Sequence, residues 1–266
     1  MTNLWGDRLI GRTKRLLTDR HFRDSQREFV VESLRDLSAS VDAGLQVAAI
    51  LLSHKAAKNP AMQAILKQTN SRRAAVLRIS AKIAESLSTS PHFTGILAIV
   101  AMPKRCLPGT QPEQGQCWLA VSRMRSTGNL GTILRSAVAA NVQGIILIGQ
   151  SIDPFDPRVI RPAMGAMPRI PIIRVSWPLF RNWAAKHKCR VVGACPSATT
   201  DIWRTPLSSR TIFMLGEEGA GLSSRQRKAC DQLVRIPMSQ DQDSLNLGVA
   251  ASLLTYEFRR RFDRPQ

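Results

Sequence analysis

Short apolar runs separated by polar, helix-patterned stretches dominate the second half of the chain. Each run is bounded by the polar or glycine-containing segments that are typical of turns. Buried parallel strands have this continuous apolar character because helices cover both of their faces. The pattern therefore predicts an α/β domain with a mostly parallel sheet flanked by helices, with strands at residues 117–121, 144–149, 190–195, 211–215 and 232–236.

The first half of the chain alternates in the same way. Apolar, β-prone runs at 29–31, 47–52, 75–79 and 96–100 are separated by helix-like stretches, which favours a smaller αβα domain. Residues 104–116 contain two prolines, two glycines and three glutamines, a composition typical of a linker. The sequence thus predicts a domain at 1–103 that opens with a basic helical arm, a linker at 104–116 and a second domain at 117–266.

Three helix starts are predicted in the second domain from residues whose side-chain oxygens accept backbone N–H groups. Apolar positions recur at helical spacing after residue 129 and again after residue 248. The middle one of the three helix starts, at 223–224, follows the glycine-rich turn at 216–221. The predicted capping residues are Ser126 or Thr127, Ser223 or Ser224, and Asp243 or Ser244, the last choice placing Leu245 and Asn246 in the first turn of the final helix.

Net charge adds a functional constraint to this α/β pattern. The 266 residues include 38 lysines and arginines against 19 aspartates and glutamates, a formal charge of +19. The excess is spread along the chain, with 15 basic and 8 acidic residues in 1–103 and 23 and 11 in 104–266. A folded surface this positive favours a polyanion, and nucleic acid is the first candidate. Tyr256 is the only tyrosine and aromatic residues make up 5%, so recognition mainly by base stacking is not favoured.

The sequence gives little support for a membrane protein, a secreted protein or a metal-binding protein. No apolar run approaches the ~20 residues that a transmembrane helix needs, and the N-terminus lacks the apolar segment of a secretory signal, although a basic transit peptide stays open. Five scattered cysteines favour free thiols in a reducing cytoplasm. His187, Cys189 and Cys195 leave a zinc site open, but buried thiols are favoured and no metal is predicted.

A glycine-rich loop at residues 216–221 is the strongest local indication of a ligand site. It contains Gly216, Gly219 and Gly221 and directly follows the predicted strand at 211–215, and open parallel sheets bind ligands beyond the carboxyl ends of their strands. Such loops usually bind phosphate, yet Glu217 and Glu218 at its centre would repel an anion. A glycine-rich turn can also be only a turn.

The second half of the chain contains three motifs, made by Asn129, Gly131 and Arg135; by Leu215, Gly216, Glu218, Gly221 and Leu222; and by Ile236, Pro237, Met238, Ser244, Leu245 and Asn246. In this order they resemble the SpoU/TrmH branch of the SPOUT RNA methyltransferases. Taken singly, each also fits an ordinary element, such as a solvated arginine on a helix or a buried C-terminal helix. Together they cover residues 115–260, while the N-terminal half is similar to the L30e-like RNA-binding domain often attached to this branch.

The resemblance implies a SPOUT domain with a C-terminal trefoil knot that binds S-adenosyl-L-methionine and works as a homodimer. The implied reaction is methyl transfer to a ribose 2′-hydroxyl of RNA. Arg135 would be the catalytic arginine, more readily orienting the hydroxyl and adjoining phosphate than acting as a base, because a guanidinium stays protonated. Asn129, Glu218, Ser244 and Asn246 would complete the catalytic site, and the cofactor would be held by Leu215, Gly216, Gly221, Ile236, Met238 and Leu245.

The implied substrate is a large structured RNA, because the added RNA-binding-like domain and the basic surface both fit one. Ribosomal RNA of the 23S type is placed ahead of transfer RNA. A non-catalytic RNA-binding protein that keeps the fold is the alternative from another class. A dinucleotide-dependent dehydrogenase is disfavoured, because its glycine motif opens a helix early in a βαβ unit and is followed by an acidic residue.

Overall fold

The computed structural model describes residues 4–70, 74–90, 93–149, 151–239 and 243–262. Their contacts divide the chain into two compact units, one of Met1–Lys104 with Asp153–Arg169 and one of Arg105–Ile152 with Ile170–Gln266. None of the helices in the described ranges combines the length and apolar character needed to cross a bilayer.

The first unit is built on a mixed four-stranded sheet with helices around it. The sheet has the order β1-β4-β2-β3, in which β4 is antiparallel to both β1 and β2 while β2 and β3 are parallel. All four strands coincide with predicted ones, and the basic N-terminus is helical, as predicted. The strands are β1 Glu28–Val31, β2 Val47–Ser53, β3 Ala75–Ile79 and β4 Ile96–Ala101; the helices are α1 Leu4–Thr18, α2 Arg20–Gln26, α3 Leu34–Asp42, α4 His54–Ala57, α5 Pro60–Asn70, α6 Ala81–Leu87 and α8 Pro157–Ala163.

The segment 153–169, which carries α8, belongs by its contacts to the first unit and not to the stretch 117–266 in which the sequence placed it. A buried ion pair explains this, since Arg23 Nε donates to Asp153 Oδ2 at 2.7 Å and both side chains are almost fully buried. Arg161 adds hydrogen bonds to the carbonyl and hydroxyl oxygens of Thr89. Separating such a buried pair would leave uncompensated charge, which is strongly destabilising.

The second unit is a six-stranded sheet in which all neighbouring strands are parallel. Its order is β10-β8-β9-β5-β6-β7, and the predicted parallel α/β fold is confirmed. The edge strand β7 was not predicted, although a β-branched run directly after Pro171 was the available signal. The strands are β5 Trp118–Ser122, β6 Gly144–Ile148, β7 Ile172–Val175, β8 Arg190–Ala194, β9 Thr211–Leu215 and β10 Gln232–Val234; the helices are α7 Thr127–Ala139, α9 Trp177–Lys186, α10 Ser224–Ala229 and α11 Leu247–Phe262.

The predicted linker at 104–116 is attached to the second unit. Leu107 opens a short 3-10 turn and is buried in the core of that unit. The carbonyl of Thr110 accepts from Trp183 Nε1 at 2.9 Å, and the N–H of Gly115 donates to the carbonyl of Ser209 at 2.9 Å. These contacts give the segment a fixed path along the second unit, from Arg105 onward.

Two of the three predicted helix starts are confirmed, and the third is wrong. Ser126 caps α7, and Ser223 caps α10 in a reciprocal capping box with Gln226. The last helix begins at Leu247, and its cap is Asn246, whose Oδ1 accepts from the N–H groups of residues 248 and 249. Ser244 and Leu245 therefore precede the helix, because an asparagine side chain nearer to the free N–H groups satisfies them.

Candidate active site

A cavity of about 590 Å³ lies beyond the carboxyl ends of β8, β9 and β10. This is where a parallel sheet offers free loops and helix N-termini to a ligand. The cavity is bounded by the loops that follow the three strands and by the start of α11. Its lining comprises residues 194–197, 215–222, Val234, Ile236, Met238 and 243–247, together with Asn129, Arg227 and Ala250.

Ten of the eleven predicted site residues line this cavity. They come from four separated parts of the sequence, so the fold brings together the three motifs that the sequence shows apart. Arg135 is the exception and is not part of the lining. The ten are Asn129, Leu215, Gly216, Glu218, Gly221, Ile236, Met238, Ser244, Leu245 and Asn246.

The glycine loop folds back on itself at the floor of the cavity. The N–H of Glu217 donates to the carbonyl of Gly221 at 3.0 Å, and the N–H of Gly221 donates back to the carbonyl of Glu217 at 2.8 Å. Gly219 and Gly221 have φ of +81° and +67°, a region that glycine adopts without steric cost. A Cβ on Gly216 would overlap the backbone of Gly221 and Leu222, so only glycine fits there.

Gly216→Ala and Gly219→Ala are expected to differ in their cost to stability. A methyl group at Gly216 meets backbone that cannot rotate away, and we expect a loss of about 3 kcal/mol together with weaker cofactor binding. A methyl group at Gly219 enters open space, so only the left-handed backbone costs energy, about 1 kcal/mol. Urea unfolding of both variants measures the difference. Equal losses would contradict the steric role of Gly216.

A directed chain of hydrogen bonds joins the last helix to the glycine loop at the cavity wall. The Oδ1 of Asn246 is occupied by the N–H of Gly248, so its Nδ2 donates to Asn129 Oδ1 at 2.9 Å. Asn129 Nδ2 in turn donates to Glu218 Oε1 at 3.0 Å. The N–H of Ser126 donates to the same oxygen at 3.3 Å. An ionised carboxylate only accepts, so Glu218 is chemically suited to end the chain.

The two central glutamates of the loop have different partners. Glu218 turns towards Asn129, as the hydrogen bonds above show. Glu217 instead faces Arg125, whose Nη2 lies 2.6 Å from its carboxylate, and Arg123 at 3.7 Å. The charge of Glu217 is thus balanced by arginines, while Glu218 accepts hydrogen bonds from the uncharged N–H groups of Ser126 and Asn129. This explains how an acidic pair is accommodated in a glycine-rich loop.

Arg135 lies on the exposed face of α7. It follows Asn129 by six residues, which places the two side chains about 120° apart around the helix. Asn129 therefore faces the cavity while Arg135 faces solvent beside Thr132 and Ala139, which are also exposed. Gly248 lets α11 approach this helix closely, since a Cβ there would lie 3.1 Å from the Thr132 Cγ2 atom.

The loop after β8 contributes lining residues that the sequence analysis missed. Cys195, Pro196 and Ser197 line the cavity, and Cys195 is buried with its Sγ 3.2 Å from Ser197 Oγ. The available signal was their place directly after a buried strand, the same rule that singled out the glycine loop.

The cysteines of the described chain are free thiols. Burial raises the pKa of Cys117 to about 12 and the pKa values of Cys189 and Cys230 to about 11. Thiols with such raised pKa values remain protonated and are poor metal ligands or nucleophiles. Within the described ranges, no group of three or more histidine, cysteine or acidic side chains could hold a metal ion.

The chemistry of the cavity suits a cofactor with an apolar body, polar edges and a positive charge. Leu215, Leu222 and Val234 are buried residues in its lining, and the glycine loop brings backbone groups to its surface. The carboxylate of Glu218, which has only uncharged donors as partners, disfavours a polyphosphate. S-adenosylmethionine has an adenine, no phosphate and a sulfonium, so the residues present fit it.

Comparison with known proteins identifies a family and individual relatives to which this chain is similar. Residues 116–256 match the model of the SpoU rRNA Methylase family. The 23S rRNA (uridine(2479)-2′-O)-methyltransferase of Streptomyces viridochromogenes is 28% identical, over 92% of this chain and 87% of its own length. The 23S rRNA (guanosine-2′-O-)-methyltransferase RlmB of Haemophilus ducreyi is 36% identical, over 50% of this chain and 55% of its own length.

The structure is also similar to that of a solved relative. The AdoMet-bound rRNA methyltransferase from Sinorhizobium meliloti superposes with a TM-score of 0.89 at 28% identity, covering 98% of this chain and 97% of that chain. The similarity therefore extends over both units and is not limited to the residues matched by the family model. The cofactor bound in that relative is the one implied by the sequence motifs.

Proposed function

The chain belongs to the SpoU rRNA Methylase family, and on that basis we propose that it transfers a methyl group from S-adenosylmethionine to a ribose 2′-hydroxyl of 23S-type ribosomal RNA. The observation that carries the proposal is the hydrogen-bonded chain from Asn246 through Asn129 to Glu218 on the wall of a cofactor-sized cavity. Two relatives that act on 23S rRNA and a net charge of +19 favour ribosomal RNA as the substrate.

The catalytic residues act by positioning and electrostatics. When bound, S-adenosylmethionine supplies a methyl group on a positive sulfonium, whose neutral thioether is a good leaving group. Arg135 holds the phosphate beside the target ribose and donates to the hydroxyl oxygen as negative charge develops on it, and the hydroxyl proton is released to solvent water as the O–CH3 bond forms and the S–CH3 bond breaks. Asn129 and Glu218, with Ser244 and Asn246, form the polar wall that fixes the ribose. Gly216, Ile236 and Leu245 bind the cofactor through backbone groups, while Leu215, Met238 and Gly221 shape its pocket.

A second copy of the chain completes the site in this proposal. Three large apolar side chains are exposed on one face of α11, Val249 at 43%, Leu253 at 36% and Tyr256 at 49%. Their spacing of four and three residues forms a stripe along α11, and α11 packs against α7, the helix that carries Arg135. Exposed apolar patches of this kind mark protein interfaces. A homodimer through the catalytic domain covers the stripe and brings Arg135 towards the cavity of the partner.

Leu253→Asp is expected to convert the dimer into monomers, because a carboxylate in the centre of an apolar interface loses its hydration without a partner. Light scattering coupled to size exclusion measures the mass. Leu179→Asp is the matched control, since Leu179 is also an exposed leucine, at 53%, on a different helix, α9. A dimer that persists in Leu253→Asp, or that is lost equally in Leu179→Asp, would contradict the proposed interface.

Each segment of the chain also has a role in the proposed function. Residues 1–103 act as an L30e-like RNA substrate-binding domain, 104–116 as the linker, and 117–266 as the catalytic domain with a C-terminal trefoil knot, apart from 153–169, which belong by their contacts to the first unit. The basic residues spread over both halves support joint binding of RNA. Five free cysteines support a cytoplasmic location, where ribosomal RNA is also found.

The test of the function is incubation of the purified protein with radiolabelled S-adenosylmethionine and total RNA, followed by mapping of the labelled nucleotide. We expect label on a ribose of 23S rRNA. Label on transfer RNA instead would assign the other substrate class. Calorimetry with S-adenosylmethionine, NAD and ATP adds a second readout, because a non-catalytic RNA-binding protein would give no label and a dehydrogenase would bind NAD.

A further inference from the structure

Two exposed arginines stand beside the polar wall of the cavity and have no role in the function described so far. Arg123 and Arg125 lie in the loop between β5 and α7, and their side chains are 68% and 76% exposed. Both face Glu217, which is only 17% exposed. The cluster therefore holds two positive charges against one negative charge.

The position of this cluster relative to the active site is fixed by neighbouring residues. Arg125 directly precedes Ser126, whose N–H donates to Glu218 Oε1. Consecutive residues of one loop, 125 and 126, thus contact consecutive glutamates of the other loop, 217 and 218. Arg123 has φ of +47°, an uncommon conformation for a residue other than glycine. Its N–H is held by the carbonyl of Ile148 at 3.2 Å.

From this geometry we infer that Arg123 and Arg125 form a binding site for an RNA phosphodiester next to the target ribose, with Glu217 as the carboxylate that competes with that phosphate. The inference rests on the proposed function, because it assumes that RNA reaches the cavity. A guanidinium binds a carboxylate or a phosphate through the same fork of N–H groups. A bound phosphodiester balances the surplus positive charge.

Replacing the Glu217 carboxylate by an RNA phosphate as the partner of Arg123 and Arg125 costs little free energy. Ion pairs made by solvent-exposed guanidinium groups contribute little to stability, and the side chains of Arg123 and Arg125 are largely exposed, so Glu217 does not hold the arginines strongly against an incoming phosphate. The carboxylate weakens RNA binding by direct competition and by repulsion of the backbone. The neighbouring carboxylate of Glu218 accepts a hydrogen bond from Asn129 and is not the one that competes with the phosphate.

The test compares Arg125→Gln, Arg123→Gln and Glu217→Gln by filter binding of purified bacterial 23S rRNA and by steady-state methyl transfer. Each arginine variant is expected to raise the KM and Kd for RNA roughly five- to tenfold and to reduce the slope of log K against log salt by about one. Glu217→Gln is expected to lower both constants several-fold. Turnover at saturating RNA and the Kd for S-adenosylmethionine stay unchanged in the arginine variants.

A double-mutant comparison separates competition at the arginines from general repulsion. In the Arg123→Gln/Arg125→Gln background, Glu217→Gln is expected to have no effect on RNA affinity. An undiminished effect there would overturn the competing role of Glu217. Arg235→Gln is the matched control, since Arg235 also makes a 2.6 Å ion pair, with Asp201, in the same unit; its RNA constants should equal those of the wild type.

The outcomes distinguish this site from the proposed function. Unchanged RNA constants and salt slope in the arginine variants overturn the phosphate site even when methyl transfer is normal. A fall in turnover with constant KM also overturns it, because the arginines would then act on the chemical step. Absence of methyl transfer in the wild type contradicts the proposed function, while filter binding still reports on the phosphate site.

Discussion

Replacing Arg135 by alanine is expected to reduce methyl transfer about a thousandfold, the usual cost of removing a donor that stabilises developing charge. The affinity for S-adenosylmethionine should stay close to that of the wild type, because Arg135 is exposed on α7 and does not line the cavity. Single-turnover methylation of 23S rRNA and calorimetry with the cofactor measure the two quantities. Loss of cofactor binding, or a normal rate, would show that the residue has another role.

Arg135→Lys provides a control for charge alone. Lysine keeps the positive charge but lacks the planar fork that binds a phosphate through two N–H groups. We expect a rate between those of the wild type and the alanine variant. A lysine variant as slow as alanine would indicate that the fork geometry is the whole contribution, whereas full activity would reduce the role of Arg135 to a general positive charge.

Mixing two inactive variants tests whether the arginine serves the partner's cavity. Arg135→Ala and Glu218→Ala protomers are combined after reversible dissociation. If the two residues act from different protomers, each mixed dimer keeps one intact site, and random pairing restores about a quarter of the wild-type activity. If they act within one protomer, every site in the mixture lacks a residue and no activity returns.

Glu218→Ala is expected to lower turnover about a hundredfold or more, an effect in the range found when a positioning or polar group is removed from an active site. Glu218 is the acceptor that orients the Asn129 amide, since Asn129 Oδ1 is already occupied by Asn246. Without the carboxylate, Asn129 Nδ2 loses its acceptor, and the amide is held only by the hydrogen bond from Asn246. The rate at saturating RNA and cofactor is the measurement.

Two further substitutions, Glu218→Gln and Glu217→Ala, test whether the Glu218 carboxylate acts as the acceptor for Asn129. Glu218→Gln keeps an oxygen that can accept from Asn129, so its rate should exceed that of Glu218→Ala. Glu217→Ala should retain turnover, because its carboxylate contacts Arg125 and not the amide chain. If Glu217→Ala abolished turnover while Glu218→Ala did not, the assignment of the two glutamates would be reversed.

The elements of this protein follow closely from local sequence pattern. The predicted strands coincide with observed ones because continuous apolar runs have one favourable place in an α/β fold, between two layers of helices. Ser126 and Ser223 begin helices because their hydroxyl groups lie next to free N–H groups. The cap of the last helix was misplaced, since three residues of suitable type lie within 243–246 and sequence alone does not rank them.

The site residues were found through motifs rather than through periodicity. Spacing along α7 does not reveal that Asn129 faces the glycine loop, 89 positions later in the chain, at 3.0 Å. The same limit applies to segment 153–169, whose assignment to the first unit depends on the buried pair of Arg23 and Asp153, 130 positions apart. Neither contact has a local sequence signal.

The sequence by itself determined the parallel α/β fold, the net positive charge and ten of the residues that line the cavity. Local patterns and motifs are sufficient for these properties. Only the tertiary structure decided that Glu218 ends a hydrogen-bonded chain while Glu217 pairs with two arginines, and that Arg135 lies outside the cavity of its own chain. Such distinctions depend on the direction in which a side chain leaves the backbone and on partners far away in sequence, and packing of the whole chain sets both.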